Sequence, residues 1–294
     1  MFFTIGLDIM FSYLKEKCKN IRKKFFVEEI NENLGLITYH HLLDQGNYAK
    51  DHRLESFGKK FFSQNEEDGI LEEICRRAPP QSKTFLELGV EDGAENNTLC
   101  LLLQGWQGTW MEGSPKHCQK IKKTFSSFLE NKKLQLIHSY ITKDNILTSL
   151  QCAKTPPEIG LLSIDLDGND YHILETILSV YTPQIIVTEY NAHFPPPIQW
   201  IMKYDQSYQW NGKEETGASL QSLVQLLRKK QYSLIGCNIT GTNAFFIRSE
   251  KVQDKFWEAD NILSLYQPLR YYLTTSVFRK KRSFSNIGNC HYLT

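Results

Sequence analysis

The chain has 294 residues, 41% hydrophobic and 23% charged, an ordinary globular composition long enough to bury a large core in one or two domains. Its 34 basic residues against 33 acidic leave a net charge of +1, so no polyanionic partner is called for and nucleic acid is not expected as a substrate. The 7 cysteines are odd in number and form no Cys-x-x-Cys pair, which speaks against a disulfide framework and predicts reduced thiols in a cytoplasmic protein.

The first fourteen residues, MFFTIGLDIMFSYL, are apolar but too short to span a bilayer, and the basic run KEKCKNIRKK follows them instead of preceding them, the wrong order for a secretory signal. Two expectations stand for residues 1–24: peripheral contact with a membrane, lysines toward anionic lipid, or a helix packed on the domain or on a partner subunit in a homodimer. Residues 31–53 show no clear period and read as a helical or irregular lead-in, so residues 1–60 are expected to form a helical N-terminal extension. Glu66 to Arg77 has Ile70, Leu71 and Ile74 on one helical face, and Pro79-Pro80 ends it.

A short apolar run, Thr84 to Gly89, carries Glu87 near its end; Gly89 and Gly93 then break the pattern before a helix predicted over Ala94 to Leu103. Asn96, Asn97 and Thr98 suit the free N–H groups at that helix start, or one of them meets a ligand. Thr109 to Glu112 is a second strand, again ending on a carboxylate. In an open parallel sheet these strand ends and the first loop share the crevice where ligands bind. A helix is predicted over Lys116 to Glu130, a third strand over Leu134 to His138, and a short helix over Asp144 to Leu150.

Leu161 to Asp165 reads as a buried strand, with Asp167-Gly168 a turn and Asp170 an N-cap for the helix Tyr171 to Val180. Asp165 needs a partner, since a carboxylate ending a buried strand is costly alone. The spacing is no EF-hand, because the glycine falls at the fourth position and the twelfth is Thr176. Ile185 to Glu189 is a fifth strand. Neighbouring parallel strands lie about 4.8 Å apart, so the tips carrying Asp165 and Glu189 should converge. With the amide of Asn191 they would offer hard oxygen ligands to Mg²⁺ or another divalent cation, or else bind the substrate or a cofactor ammonium directly. His193, just beyond that tip, is a candidate general base, and Asp167 competes for the role. The connection from Pro195 to Ala218 is unusually long and carries Trp200, Tyr204, Tyr208 and Trp210, either a substrate lid or a flap covering the core or a dimer contact. A last core helix, Ser219 to Lys230, precedes two strands, Tyr232 to Cys237 and Asn243 to Arg248. Residues 251–294 form an aromatic and basic tail, with Arg279 to Arg282 reading RKKR.

Charge chooses the ligand of the first loop. A dinucleotide fingerprint, Gly-x-Gly-x-x-Gly, brings a pyrophosphate onto the backbone at a helix N-terminus. Here Glu91 replaces the middle glycine and Asp92 follows. A carboxylate about 5 Å from a phosphate would cost roughly 3 kcal/mol at an effective dielectric near 20. S-adenosylmethionine carries no phosphate, and its sulfonium and ammonium suit acidic neighbours.

The segment from Glu87 to Glu112 resembles motifs I and II of class I S-adenosylmethionine-dependent methyltransferases, with Glu87, Gly89 and Gly93 at the acidic and glycine positions and Glu112 at the second acid. More narrowly, FSQNEEDGI, FLELGVEDGAENNT, LLSIDLDGNDYHIL and PQIIVTEYN, in that order, resemble the FkbM-type family over roughly residues 61–247. Glu91, where many methyltransferases have a small residue, departs from the commoner motif. The resemblance implies an α/β fold, a Rossmann-like, doubly wound, mostly parallel seven-stranded sheet, in a methyltransferase domain over residues 61–250. It places Gln64 beside the cofactor cleft, gives Glu112 the ribose hydroxyls, and gives the loop from Glu87 to Gly93, with Asn97, the amino-acid end. The pair Asp165 and Glu189 is similar to the acidic strand ends that hold a cation in metal-dependent small-molecule O-methyltransferases. The implied acceptor is a hydroxyl on a sugar, glycan or secondary metabolite. Two rivals remain: a metal-dependent glycosyltransferase using Asp165-x-Asp167 on a nucleotide sugar, which the acidic loop opposes, and a non-catalytic protein that keeps the fold for assembly. Nucleic-acid methylation is disfavoured because the fifth strand tip reads Asn191-Ala192-His193-Phe194 and not the Asn-Pro-Pro-Tyr type used on base amines.

Overall fold

The computed structural model describes residue 27, residues 30–44 and residues 53–276. The expected membrane contact through residues 1–24 and the basic run Arg279 to Arg282 therefore lie outside the described residues. No helix among the described residues is long and apolar enough to cross a membrane.

Residues 30–44 form helix α1. After a 3-10 turn at Leu54–Phe57, the chain runs α2 (Glu67–Arg77), β1 (Thr84–Leu88), α3 (Leu99–Leu103), β2 (Gln107–Glu112), α4 (Pro115–Thr124), α5 (Ser126–Glu130), β3 (Leu134–His138), α6 (Ile146–Cys152), β4 (Leu161–Ile164), α7 (Asp170–Ile177) and β5 (Ile185–Glu189). It closes with α8 (Leu220–Lys229), β6 (Tyr232–Cys237), β7 (Asn243–Arg248), α9 (Ile262–Leu265) and α10 (Tyr271–Ser276).

The strands make one seven-stranded sheet in the order β3-β2-β1-β4-β5-β7-β6. Strands β1 to β5 are parallel, while β7 runs antiparallel to both β5 and β6. The expected doubly wound, mostly parallel α/β architecture is thus what the chain adopts. After β3 the chain returns across the sheet to lay β4 beside β1, so the loops after β1 and β4 leave in opposite directions and open a crevice between them. Burial on both faces explains why these strands read as apolar runs. Leu86, Leu88, Leu162 and Ile186 enter one buried cluster, and their neighbours Phe85, Leu161, Ile185 and Val187 enter the other.

Two helices fall furthest short of their apolar pattern, each for a local reason. The stretch Ala94 to Thr98 stays out of α3, because the N–H groups of Asn97 and Thr98 are taken by Glu87 (2.8 and 3.1 Å). The helix predicted over Lys116 to Glu130 divides at Phe125, whose fully buried ring meets Trp110 edge-on at 4.9 Å. Outside the sheet, Leu54 joins one core cluster and Leu265 the other. Gln267 donates to Glu55 (2.9 Å), which also holds the guanidinium of Arg53. Tyr39 of α1 packs with Ile239 and Leu273.

Candidate active site

The carboxyl ends of β1, β2, β4 and β5 surround a cavity of about 580 Å³. Gln64, Gly89, Glu91, Glu112, Asp165, Asp167 and Glu189 line it, as the sequence suggested, and Glu95, Tyr140, Asn169, Tyr208 and Trp210 join them. Glu87, Gly93, Asn97, Asn191 and His193 do not, and in each case a local contact explains why.

Glu87 is buried and fully engaged. One oxygen accepts from the Asn97 N–H and the Ser163 hydroxyl, and the other accepts from the Thr98 N–H and hydroxyl. Burial pushes its carboxyl up to about 7 against those hydrogen bonds. Trp110 Nε1 donates to the same Thr98 hydroxyl (2.8 Å), and Asn97 Nδ2 donates to Ser163 Oγ (3.1 Å). Glu87 and Asn97 therefore tie the loop to β1 and β4, and neither lines the cavity.

The glycines have different tasks. Gly89, with φ +79°, lies so close to β4 that a Cβ would stand 1.7 Å from the Asp165 carbonyl oxygen. Gly93, with φ +77°, packs against Trp110 and Phe125, where a Cβ would come within 2.7 Å of the indole. It shapes the turn from behind. Between them Glu91 turns into the cavity with φ +48°, whereas Asp92 pairs with Lys120 and caps the N–H of Ala94. Of the two acids expected to repel a phosphate, only Glu91 lines the cavity.

Strand pairing sets Leu88 beside Met111, so Glu112 projects one residue past the end of β1. It is 8% exposed, and its Oε1 accepts from the Ser114 N–H (2.7 Å), with His117 Nδ1 at 3.6 Å. Its other oxygen has no protein partner among the described residues. That leaves an acceptor for two adjacent hydroxyls at the tip of β2.

Across the crevice, Ile164 pairs with Thr188, which places Asp165 and Glu189 side by side at the next residues. The turn after β4 winds around Asp170, whose oxygens accept from Leu166 N (2.8 Å) and Gly168 N (2.9 Å). Asn169, not Asp170, takes the N-cap position, and Asp167 is held at φ +55° facing its neighbours. One oxygen from each of Asp165, Asp167 and Glu189 lies within 4.8 Å of the others. Burial and then the Glu189 charge raise the Asp165 carboxyl well above the usual carboxylate range. Glu189 is pushed up to about 8 by burial and by Asp170 and Asp167, and a hydrogen bond with Asp165 opposes the rise. Burial and Glu91 raise Asp167 as well.

Asn191, expected as a third ligand, is occupied: Nδ2 donates to the carbonyls of Glu214 (2.6 Å) and Thr216 (2.9 Å), and Oδ1 accepts from His193 N (3.0 Å). It anchors the segment 195–218, and Asp167 completes the acidic set in its place. His193 turns its ring to Glu214, with Nε2 3.7 Å from Oε2, away from the cavity. The period of the sequence could not distinguish these two residues, because their partners come from a connection without regular structure apart from the bridge Ile201 to Ala218. Of the four aromatic residues in that segment, Tyr208 and Trp210 line the cavity, Trp200 stacks on Phe194 (4.4 Å), and Tyr204 accepts from Lys143 N (3.0 Å).

No family model matches the chain, and no curated protein matches it in sequence. Among solved structures it is similar to the N-terminal domain of EvdMO1 with SAH bound, at 13% identity over 66% of this chain and 90% of that one, with a TM-score of 0.41. It is also similar to an O-methyltransferase from Bacillus cereus in complex with SAH, at 14% identity over 74% and 89% of the two chains, with a TM-score of 0.38. A third likeness is to an S-adenosylmethionine-dependent methyltransferase from Clostridium acetobutylicum, at 11% identity over 72% and 98%, with a TM-score of 0.40.

Proposed function

We propose that this chain is an S-adenosylmethionine-dependent methyltransferase acting on a hydroxyl of a sugar, glycan or secondary metabolite, in line with its resemblance to the FkbM-type family. The observation that supports it most is the acidic cavity wall: Glu91, Glu112 and Asp167, with the raised carboxyls of Asp165 and Glu189 beside them, line a space with no lysine or arginine among the described residues that line it. Such a wall repels a pyrophosphate and suits a sulfonium and an ammonium. Bound S-adenosylmethionine supplies a methyl group made electrophilic by the positive sulfur. Glu112 accepts from the ribose hydroxyls through its unpartnered oxygen, and the backbone after β1 together with Glu91 receives the positively charged portion.

Asp167 replaces His193 as the group that removes the acceptor proton, since it lines the cavity and His193 does not. Asp165 and Glu189, side by side at neighbouring strand tips, orient the acceptor hydroxyl. The same trio fits a divalent cation such as Mg²⁺ by donor chemistry, with Asp165, Asp167 and Glu189 as the residues that would hold it in place of the expected Asn191. Tyr208 and Trp210 offer ring faces at the mouth for a flat acceptor.

Titration calorimetry of the full chain against S-adenosylmethionine, its demethylated product, NAD and a UDP-sugar with Mg²⁺ tests the assignment. Binding of the first two with neither of the others is expected. Binding of the UDP-sugar with Mg²⁺, and of neither sulfur compound, would replace the methyltransferase reading with the glycosyltransferase one.

A further inference from the structure

The family resemblance places Gln64 beside the cofactor cleft, but residue type alone gives no reason for it to stay there. The structure supplies one. Asp68, buried to 3% exposure near the start of α2, directs a single carboxylate oxygen at the turn ahead of it: Oδ2 accepts from the N–H of Phe61 (2.7 Å), Phe62 (2.6 Å) and Ser63 (2.8 Å) and from the Ser63 hydroxyl (2.9 Å). Ser63 Oγ in return accepts from the Asp68 N–H (3.2 Å). Consecutive backbone donors converging on one anion fix a turn that has no ladder of its own. From the far side, Lys60 Nζ donates to the Gln64 carbonyl (2.7 Å) and to Glu95 Oε1 (2.6 Å), and that ion pair is largely sheltered, its side chains 12% and 18% exposed. Gln64 and Glu95 both line the cavity, so the contact closes residues 60–64 onto the glycine loop.

The arrangement also indicates which part of the ligand the turn serves. Glu112 and Tyr140 border the cavity on the β2 and β3 side. Asn65, next to Gln64, donates to Thr242 Oγ1 (3.3 Å) just ahead of β7, on the opposite side. With the ribose on Glu112, the amino-acid end runs toward Gln64.

We infer that Asp68 is a positioning residue for the cofactor site, acting through the turn 61–64 to hold Gln64 against the amino-acid end of the ligand, with the Lys60 to Glu95 pair as its second clamp. The inference rests on the cofactor proposed above. It predicts that Asp68→Asn, which sets a neutral amide oxygen in place of the carboxylate oxygen that those donors share, weakens S-adenosylmethionine binding by roughly tenfold, the scale of one hydrogen bond. Binding of methylthioadenosine, which lacks the amino-acid end, should stay within about twofold of the unaltered chain. A chain merely destabilised would lose both. Gln64→Ala should weaken S-adenosylmethionine equally, and adding Asp68→Asn to it should weaken binding no further, because the two act in series.

Calorimetry on the full-length variants decides it, with Lys60→Met read the same way should Asp68→Asn not fold. Equal loss of both ligands, additive losses in the double variant, or no loss at all overturns the inference and leaves the cofactor assignment standing. An unaltered chain that binds neither compound overturns both.

Discussion

Replacing Glu112 by Gln tests the cofactor assignment at its most exposed point. The carboxylate holds the Ser114 N–H on one oxygen and keeps the other for the ligand. The glutamine carbonyl can go on accepting from Ser114, while its amide group removes the anionic acceptor that the ribose would meet. Hydrogen bonds to a charged group contribute about 1.5 to 3 kcal/mol, so affinity for S-adenosylmethionine should fall roughly 10- to 150-fold. Fold stability should hardly move, because the retained bond leaves α4 capped, and the melting temperature should stay within about 3 °C of the parent. Calorimetry with both the methyl donor and its demethylated product, paired with thermal unfolding, measures the two quantities together. Unchanged affinity in a well-folded E112Q chain would refute the ribose contact, since no other carboxylate among the described residues stands at the tip of β2.

Four further outcomes follow from the same geometry. Glu66, Glu87 and Glu189 are raised from 4.5 to about 8, 7 and 8, so their contribution to stability is fully present below about pH 4.5 and is lost as pH rises through 7 to 8. Urea unfolding should accordingly show a more stable chain at pH 6 than at pH 8.5, and a flat or rising profile would contradict the burial argument. Mg²⁺ binding needs the carboxyls of Asp165, Asp167 and Glu189 ionised, and burial holds all three above the usual carboxylate range, so calorimetric affinity should increase between about pH 6 and pH 8.5 and vanish in a Glu189→Gln variant. Gly89→Ala forces a Cβ onto the Asp165 carbonyl at φ +79° and should destabilise the chain by roughly 1–3 kcal/mol or more in chemical denaturation. Asp167→Asn should lower release of the demethylated product on a panel of hydroxyl acceptors by roughly 10²- to 10⁴-fold, whereas His193→Ala should cost less than about tenfold, and the reverse order would restore His193 as the base.

The sheet was legible in the sequence because burial on both faces leaves a strong mark: the strands over residues 134–138, 185–189, 232–237 and 243–248 begin and end where their apolar runs and turn residues say they do. Helix lengths were less legible, since α3 starts late and α4 ends early where a side chain from elsewhere, Glu87 or Trp110, engages the backbone or the ring at that point. Both depend on contacts between residues distant in sequence, to which local periodicity is blind.

The site divides along the same line, and Glu87 and Glu112 show why. In sequence they are equivalent: each is an acid at the end of a short apolar strand before a turn. In the structure Glu87 belongs to a central strand, overhung by the loop that follows it, and Asn97, Thr98 and Ser163 consume its oxygens. Glu112 lies one strand further out, where its own turn engages only one oxygen. A ligand can use only what the fold has not already satisfied, and that remainder is a property of neighbours, not of residue type. The same rule removes Asn191 and His193, whose partners come from the segment 195–218, and admits Asp167, which the buried Asp170 holds toward the cavity. The acids at the strand tips could be read from the chain; which of them remain available is decided by the loops that fold over them.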